Sequence, residues 1–247
     1  MHAPSRFTGL LHLAAGCALA GWVNLVFADG PAQTNRWDGE VAAFRKADIA
    51  NPPPPAPIVF TGSSSVRLWT NLATAFPGRP LLNRGIGGSQ MSDVNHHFER
   101  LVGQYSPSVV LVYAGDNDIA AGKSPEAVAA DFVTFREKMR TRFPSARGAY
   151  IAIKPSPSRM KFWGGQREAN RRIAALIQDD PNWKYLDTFT AVLGSDGKPD
   201  PTCFLPDNLH LNAEGYRRWT AVVGPWLEAV GPRWATPVIP GRAATRP

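Results

Sequence analysis

The chain of 247 residues carries 27 Lys and Arg against 20 Asp and Glu, a net charge of +7, with 44% hydrophobic residues, 22 Gly, 23 Pro and 8 Trp. This composition is too apolar and too aromatic for wholesale disorder, and its Gly and Pro lack the triplet period of a collagen. No self-similar period points to a solenoid or propeller, and the length suits one domain with tails. The basic residues are scattered, and the pairs Arg171–Arg172 and Arg217–Arg218 fall in helix-like stretches beside acids. With no basic run interleaved with aromatics, the charge reads as solvated helix faces, and no nucleic-acid partner is expected. Attraction to anionic envelope polymers or lipid headgroups stays open.

Residues 1–28 read as an export signal. Arg6 precedes an apolar stretch from Leu10 to Phe27, and Val26-Phe27-Ala28 offers small residues at the two positions a signal peptidase reads. The stretch is nearly long enough to stay as a membrane anchor. Ala14-Ala15-Gly16-Cys17 also has the look of a lipobox with its leucine one place too early. Each reading puts the domain outside the cytoplasm, with membrane contact only through this segment. Removal of the signal leaves Cys203 as the sole cysteine, so no intrachain disulfide is expected, and a small buried apolar role suits it better than a nucleophile.

Residues 29–56 form a lead-in, with Trp37 to Ala47 patterned as one amphipathic helix and a stiff Pro-rich connector before Pro57. A domain over 57–231 follows. Residues 232–247 are rich in Pro, Arg and Ala without periodicity and read as a disordered tail.

Within the domain, short apolar runs at Pro57–Thr61, Leu81–Asn83, Val109–Ala114, Ala149–Ile153 and Lys184–Asp187 suit strands buried on both faces. Helical patterns separate them. Pro125–Phe143 has Val128, Phe132, Phe135 and Met139 on one face, with Ser124 as cap. Gln166–Gln178 is a second, and Ala213–Val230 a third, with Asn212 as cap and Pro225 as a kink. Five alternations predict an α/β fold, a parallel sheet with helices on both faces, whose site lies beyond the carboxyl ends of the strands.

That edge collects Gly62-Ser63-Ser64-Ser65, Arg84-Gly85-Ile86-Gly87-Gly88-Ser89, Gly115-Asp116-Asn117-Asp118, Lys154-Pro155-Ser156-Pro157 and Asp207-Asn208-Leu209-His210. A serine on a strand-to-helix turn before the helix-like stretch Val66–Ala75, an Asp three residues before a His, an Asn and a set of glycines are the parts of an acyl-transfer site. Taken singly each has a plainer reading. Ser63 to Ser65 suit a helix cap, the Gly-x-Gly-Gly run a tight turn, Asn117 and its flanking acids a turn or a sparse metal cluster, and Asp207–His210 a structural pair. His96 and His97 read as helix surface, which leaves His210 as the base.

Together the blocks resemble the SGNH, or GDSL-like, hydrolases over about residues 57–230. Val59-Phe60-Thr61-Gly62-Ser63-Ser64 matches the first block, with Ser64 at the nucleophile position; Asn83 to Ser89 matches the second, with Gly88 as oxyanion glycine. Gly115-Asp116-Asn117-Asp118 matches the third, with Asn117 as oxyanion side chain, and Asp207-Asn208-Leu209-His210 supplies acid and base. Ser63 stands where the family usually has Asp. The resemblance implies a three-layer sandwich with flavodoxin-like strand order, and ester hydrolysis with no metal or cofactor. The oxyanion would rest on the N–H groups of Ser64 and Gly88 and the Asn117 amide.

The expected protein is therefore an exported serine esterase acting on a small-molecule or glycan ester. A polysaccharide or sugar O-deacetylase is the enzymatic alternative, and a non-catalytic glycan-binding domain the alternative of another class. The short spans between blocks leave no lid or acyl tunnel, so short acyl groups are expected. Trp69, Phe162 and Trp163 are candidates for a shallow aromatic wall, with core packing an equal alternative for Trp69.

Overall fold

The computed structural model describes residues 36–231. The export signal and the tail of the sequence reading lie outside the described residues. Helix α1 (Asp38–Ala50) comes first and extends one turn beyond the expected helix. Five strands follow: β1 (Ile58–Gly62), β2 (Leu81–Gly85), β3 (Val109–Tyr113), β4 (Arg147–Ile151) and β5 (Trp183–Leu186). They form one parallel sheet in the order β2-β1-β3-β4-β5. This is the doubly wound, flavodoxin-like arrangement anticipated from the sequence. Among the described residues no helix is long and apolar enough to cross a membrane.

The strands are apolar on both faces because both faces are covered. Val59, Val110, Val112 and Tyr150 point into one core. It is closed by α1, α4 (Met91–His96), α5 (Phe98–Leu101), α7 (Pro125–Arg142) and α8 (Trp163–Ile177). Ile58, Phe60, Leu111, Tyr113 and Ile151 point into the other, closed by α2 (Ser64–Arg67), α3 (Leu72–Ala75) and α10 (Ala213–Val230). The expected caps are present: Ser124 Oγ accepts from the Ala127 N–H, and Asn212 Oδ1 from Glu214 and Gly215. Helix α10 runs on through Pro225.

Three expectations are corrected. The helix-like stretch Val66–Ala75 is split into α2 and α3, because the Trp69 indole turns fully into the core. There it meets Phe60, Phe76, Tyr216 and Trp219 at centroid distances of 5.4–5.7 Å. An aromatic so placed withdraws about 150–250 Å² from water, which outweighs the helical hydrogen bonds lost at the break. Trp69 is thus a core residue and no wall of the site. His97 is buried rather than on the surface, its ring edge-on to Trp37, and burial pushes its pKa down. Only His96 keeps its solvated position.

Candidate active site

Two strands of a parallel sheet that lead the chain to opposite sides leave a crevice beyond their carboxyl ends. Here those strands are β1 and β3, and the segments that follow them carry Ser64 and Asn117. Gly62 makes the turn after β1 possible. Its φ is +128°, and a Cβ there would lie 1.8 Å from the Tyr113 carbonyl oxygen, so no side chain fits. The Ser63 N–H then donates to that same carbonyl at 2.9 Å. The serine standing in place of the family's usual Asp is buried and begins α2 as its cap residue. Ser64, one residue on, is half-buried and opens the helix.

The partner of Ser64 comes from the loop before α10. Phe204 pairs with Leu211, and the Leu205 N–H donates to the His210 carbonyl, closing a small loop. Asn208 takes a left-handed conformation at φ +55°, which Asn tolerates better than most residues. Asp207 Oδ1 accepts from the N–H groups of Leu209 and His210, at 2.9 and 3.0 Å. Its Oδ2 sits 2.6 Å from His210 Nδ1, and His210 Nε2 sits 3.1 Å from Ser64 Oγ. Partial desolvation alone would raise the Asp207 carboxyl, but the hydrogen bonds from the His210 ring and the two backbone N–H groups outweigh it and hold the pKa at about 2. The carboxylate stays charged and favours the ring tautomer with a proton on Nδ1, leaving Nε2 free to accept from the serine.

The turn after β2 brings up Gly88, at φ +71°. It is braced from α1. The Trp37 indole N–H donates to the Gly87 carbonyl at 2.8 Å, and the Gly87 N–H donates to Glu40 Oε2 at 3.0 Å. Asn117 lies in the short helix α6 (Asp116–Ala120) after β3. Its Nδ2 donates to the Ser89 carbonyl at 2.9 Å, which ties the third block to the second. Its Oδ1 accepts from Arg159 at 3.1 Å.

The two acids beside Asn117 are engaged by internal partners. Asp116 is buried and bound by Arg159 at 2.8 Å, Gln166 at 3.0 Å and Lys154 at 3.4 Å. Lys154 is itself fully buried, which pushes its ammonium pKa down against the pull of Asp116. Asp118 accepts from the Met91 N–H and from Lys123. No group of three or more His, Cys, Asp or Glu among the described residues is arranged to hold a metal ion. Cys203 is buried, and burial raises its thiol pKa.

The structure thus brings Ser64, Asp207 and His210 into one hydrogen-bonded line and joins the segments carrying Gly88 and Asn117 through Ser89. Phe162 is half-buried against the core and Trp163 stands edge-on to Phe189 at 5.7 Å; neither contact is with Ser64, Asn117 or His210. Trp37, Glu40 and Arg159 are the contributors that the sequence reading passed over. Trp37 was legible only as the apolar face of a lead-in helix, and nothing in the spacing of Arg159 ties it to Asn117.

A family model described as GDSL-like lipase/acylhydrolase matches residues 52–218, more than half of the chain. The chain belongs to the GDSL-like lipase/acylhydrolase family. Its general class is that of an acylhydrolase or esterase. Solved structures of the same fold include a GDSL-like lipase from Bacteroides thetaiotaomicron (TM-score 0.67, 19% identity, 76% of this chain and 97% of that one). A catalytic mutant of an acetylxylan esterase from Geobacillus stearothermophilus is also similar (TM-score 0.58, 14% identity, 74% and 99%). So is a lipase from a goat rumen metagenome (TM-score 0.58, 14% identity, 68% and 96%). No curated protein matches the sequence. At these identities the GDSL-like relatives speak for the fold, and the chemistry rests on the site's own geometry.

Proposed function

We propose that this GDSL-like protein is a serine esterase that cleaves carboxylic esters of short acyl groups outside the cytoplasm. The supporting observation is the unbroken line from Asp207 Oδ2 to His210 Nδ1 at 2.6 Å and from His210 Nε2 to Ser64 Oγ at 3.1 Å. In this reading His210 takes the proton of Ser64 as its Oγ attacks the ester carbonyl, and Asp207 stabilises the imidazolium that forms. The oxyanion is held by the N–H groups of Ser64 and Gly88 and by the Asn117 amide. His210 returns the proton to the leaving alcohol. Water, deprotonated by His210, then releases the acid from Ser64.

The preference for short acyl groups follows from the lengths of the connecting segments. Gly62 to Gly88 and Gly88 to Asn117 are filled by the elements described above, and among the described residues these spans hold no further inserted helix. In an open site, methylenes that stay in water add little binding. The same openness suits a bulky alcohol, and an acetylxylan esterase shares the fold, so acetylated sugars are the favoured form of the ester. Placement outside the cytoplasm is supported by the signal pattern of residues 1–28.

The test is a panel of acetyl, butyryl, octanoyl and palmitoyl esters together with acetylated oligosaccharides, each run with a Ser64→Ala control. Acetyl and butyryl esters are expected to give the highest kcat/KM, and the control to lose several orders of magnitude. A steady rise towards palmitoyl would replace this reading with that of a long-chain lipase. Glycan binding with no Ser64-dependent hydrolysis would replace it with a binding domain.

A further inference from the structure

An asparagine side chain serves an oxyanion only if its amide points the right way round: turned by 180°, it presents a carbonyl oxygen to the developing negative charge. The Asn117 amide is held at both ends. Nδ2 donates to the Ser89 carbonyl at 2.9 Å, and Oδ1 accepts from Arg159 Nη2 at 3.1 Å. A flipped amide would set its oxygen against the Ser89 oxygen and its N–H groups against a guanidinium. Both contacts repel. The second proton on Nδ2 is the one left for an acceptor in the crevice.

Arg159 is in turn fixed by the other branch of its fork, Nη1 lying 2.8 Å from Asp116 Oδ1. Asp116 is buried and also bound by Gln166 and Lys154, so the guanidinium has a rigid anchor, and its own side chain is only 18% exposed. The segment that carries it, the short 3-10 helix Pro157–Phe162, reaches the triad loop as well. The Ser158 N–H and hydroxyl both donate to the Asn208 carbonyl, at 3.1 and 2.9 Å, between Asp207 and His210. One short segment beyond β4 therefore touches both halves of the site.

We infer that Arg159 is a positioning residue that orients and polarises the Asn117 amide for the oxyanion. The inference rests on the esterase reading. Its reach differs from that reading in one respect: the effect of Arg159 passes through Asn117 alone.

The experiment is a double-mutant cycle in the full chain with Arg159→Met, Arg159→Lys and Asn117→Ala, read in kcat and KM on an acetyl ester. It is paired with the side-chain amide resonances of Asn117 in 15N-labelled protein, assigned by their loss in Asn117→Ala. Arg159→Met is expected to lower kcat by about tenfold or more with KM changed by less than about twofold, and Arg159→Lys to recover part of the loss. In the Asn117→Ala background, Arg159→Met should cost less than about twofold. The Asn117 resonances should shift and broaden in Arg159→Met while its melting temperature shows it folded. An equal kcat loss in both backgrounds, or Asn117 resonances unmoved by Arg159→Met, overturns the inference. If the wild type hydrolyses no ester, the esterase reading fails instead, and the resonances alone then decide whether Arg159 holds the amide; a fully active Asn117→Ala overturns the inference and leaves the esterase reading standing. Should Arg159→Met fail to fold, Arg159→Lys carries the same cycle, and full activity with unmoved resonances in that variant counts against the inference.

Discussion

The Trp37 indole donates its N–H to the Gly87 carbonyl at 2.8 Å, across 50 residues of sequence. Trp37 and helix α1 precede the region matched by the family model, which starts at residue 52. The contact therefore joins a segment outside the family's common core to the turn that presents Gly88. Glu40, one turn along α1, completes the clasp by accepting from the Gly87 N–H. Further along the same helix Asp48 accepts from the Tyr105 hydroxyl and pairs with Arg84 at the end of β2.

This clasp makes α1 part of the site's scaffold. Trp37→Phe keeps the ring in its buried place and deletes the donor. Loss of a buried hydrogen bond costs about 1–3 kcal/mol of stability, and a loosened Gly88 should also lower kcat by about threefold to tenfold. Glu40→Gln, which keeps an acceptor, should be milder in both. Unchanged kcat in a Trp37→Phe protein of lowered melting temperature would make α1 a structural cover only.

Asn117 should matter to the transition state more than to the bound ester. Asn117→Ala is expected to reduce kcat by about a hundredfold, in line with removal of one oxyanion donor, with little change in KM. Steady-state kinetics on one acetyl ester separate the two parameters. A change confined to KM would recast Asn117 as a residue that binds substrate.

The pH dependence follows from the charge state of Asp207. Its carboxylate stabilises the imidazolium only while charged, and the hydrogen bonds from the His210 ring and two backbone N–H groups hold its pKa at about 2. Protonation of Asp207 should therefore cost no activity above about pH 4. Asp207→Asn should keep the fold and lose activity by orders of magnitude, because the Nδ1 proton is no longer held. A loss of pre-steady-state acylation between about pH 5 and 4 in the wild type that is absent in Asp207→Asn would contradict the low Asp207 pKa.

How much of this was legible depended on what each residue touches. The strands could be read because burial on both faces leaves an almost continuous apolar run, as in Val109–Tyr113. The edge strand β2 was read two residues short. Arg84 and Gly85 look like turn residues, yet Gly85 pairs with Gly62 and donates its N–H to Asn83 Oδ1, and Arg84 pairs with Asp48 and bonds the Tyr105 hydroxyl. Ser64, Gly88, Asn117, Asp207 and His210 are legible only together: each block alone suits a cap, a turn or a structural pair, and it is the four blocks in chain order that resemble the family. Arg159 did not. Its role depends on two acceptors more than forty positions away, and no local pattern encodes that meeting. The burial of His97 is likewise non-local, its ring meeting Trp37 sixty positions earlier edge-on at 6.4 Å.

Trp69 offers a check on the division between core and site. Its indole is fully buried among four other aromatics. Trp69→Ala should destabilise the protein by about 3–5 kcal/mol, measured by denaturant titration, and Trp69→Phe by less. In Trp69→Phe, KM for short-acyl esters should be unchanged. A raised KM in a protein of undiminished stability would return Trp69 to the substrate.

The central claim, that Ser64 is the nucleophile activated by His210, is tested most directly by covalent labelling. A fluorophosphonate added to the full chain, followed by proteolysis and mass spectrometry, should modify Ser64 stoichiometrically. Labelling should vanish in Ser64→Ala, slow by orders of magnitude in His210→Ala, and persist in Ser63→Ala. Modification of Ser63 or Ser65 instead, or ester hydrolysis that survives in Ser64→Ala, would contradict the account.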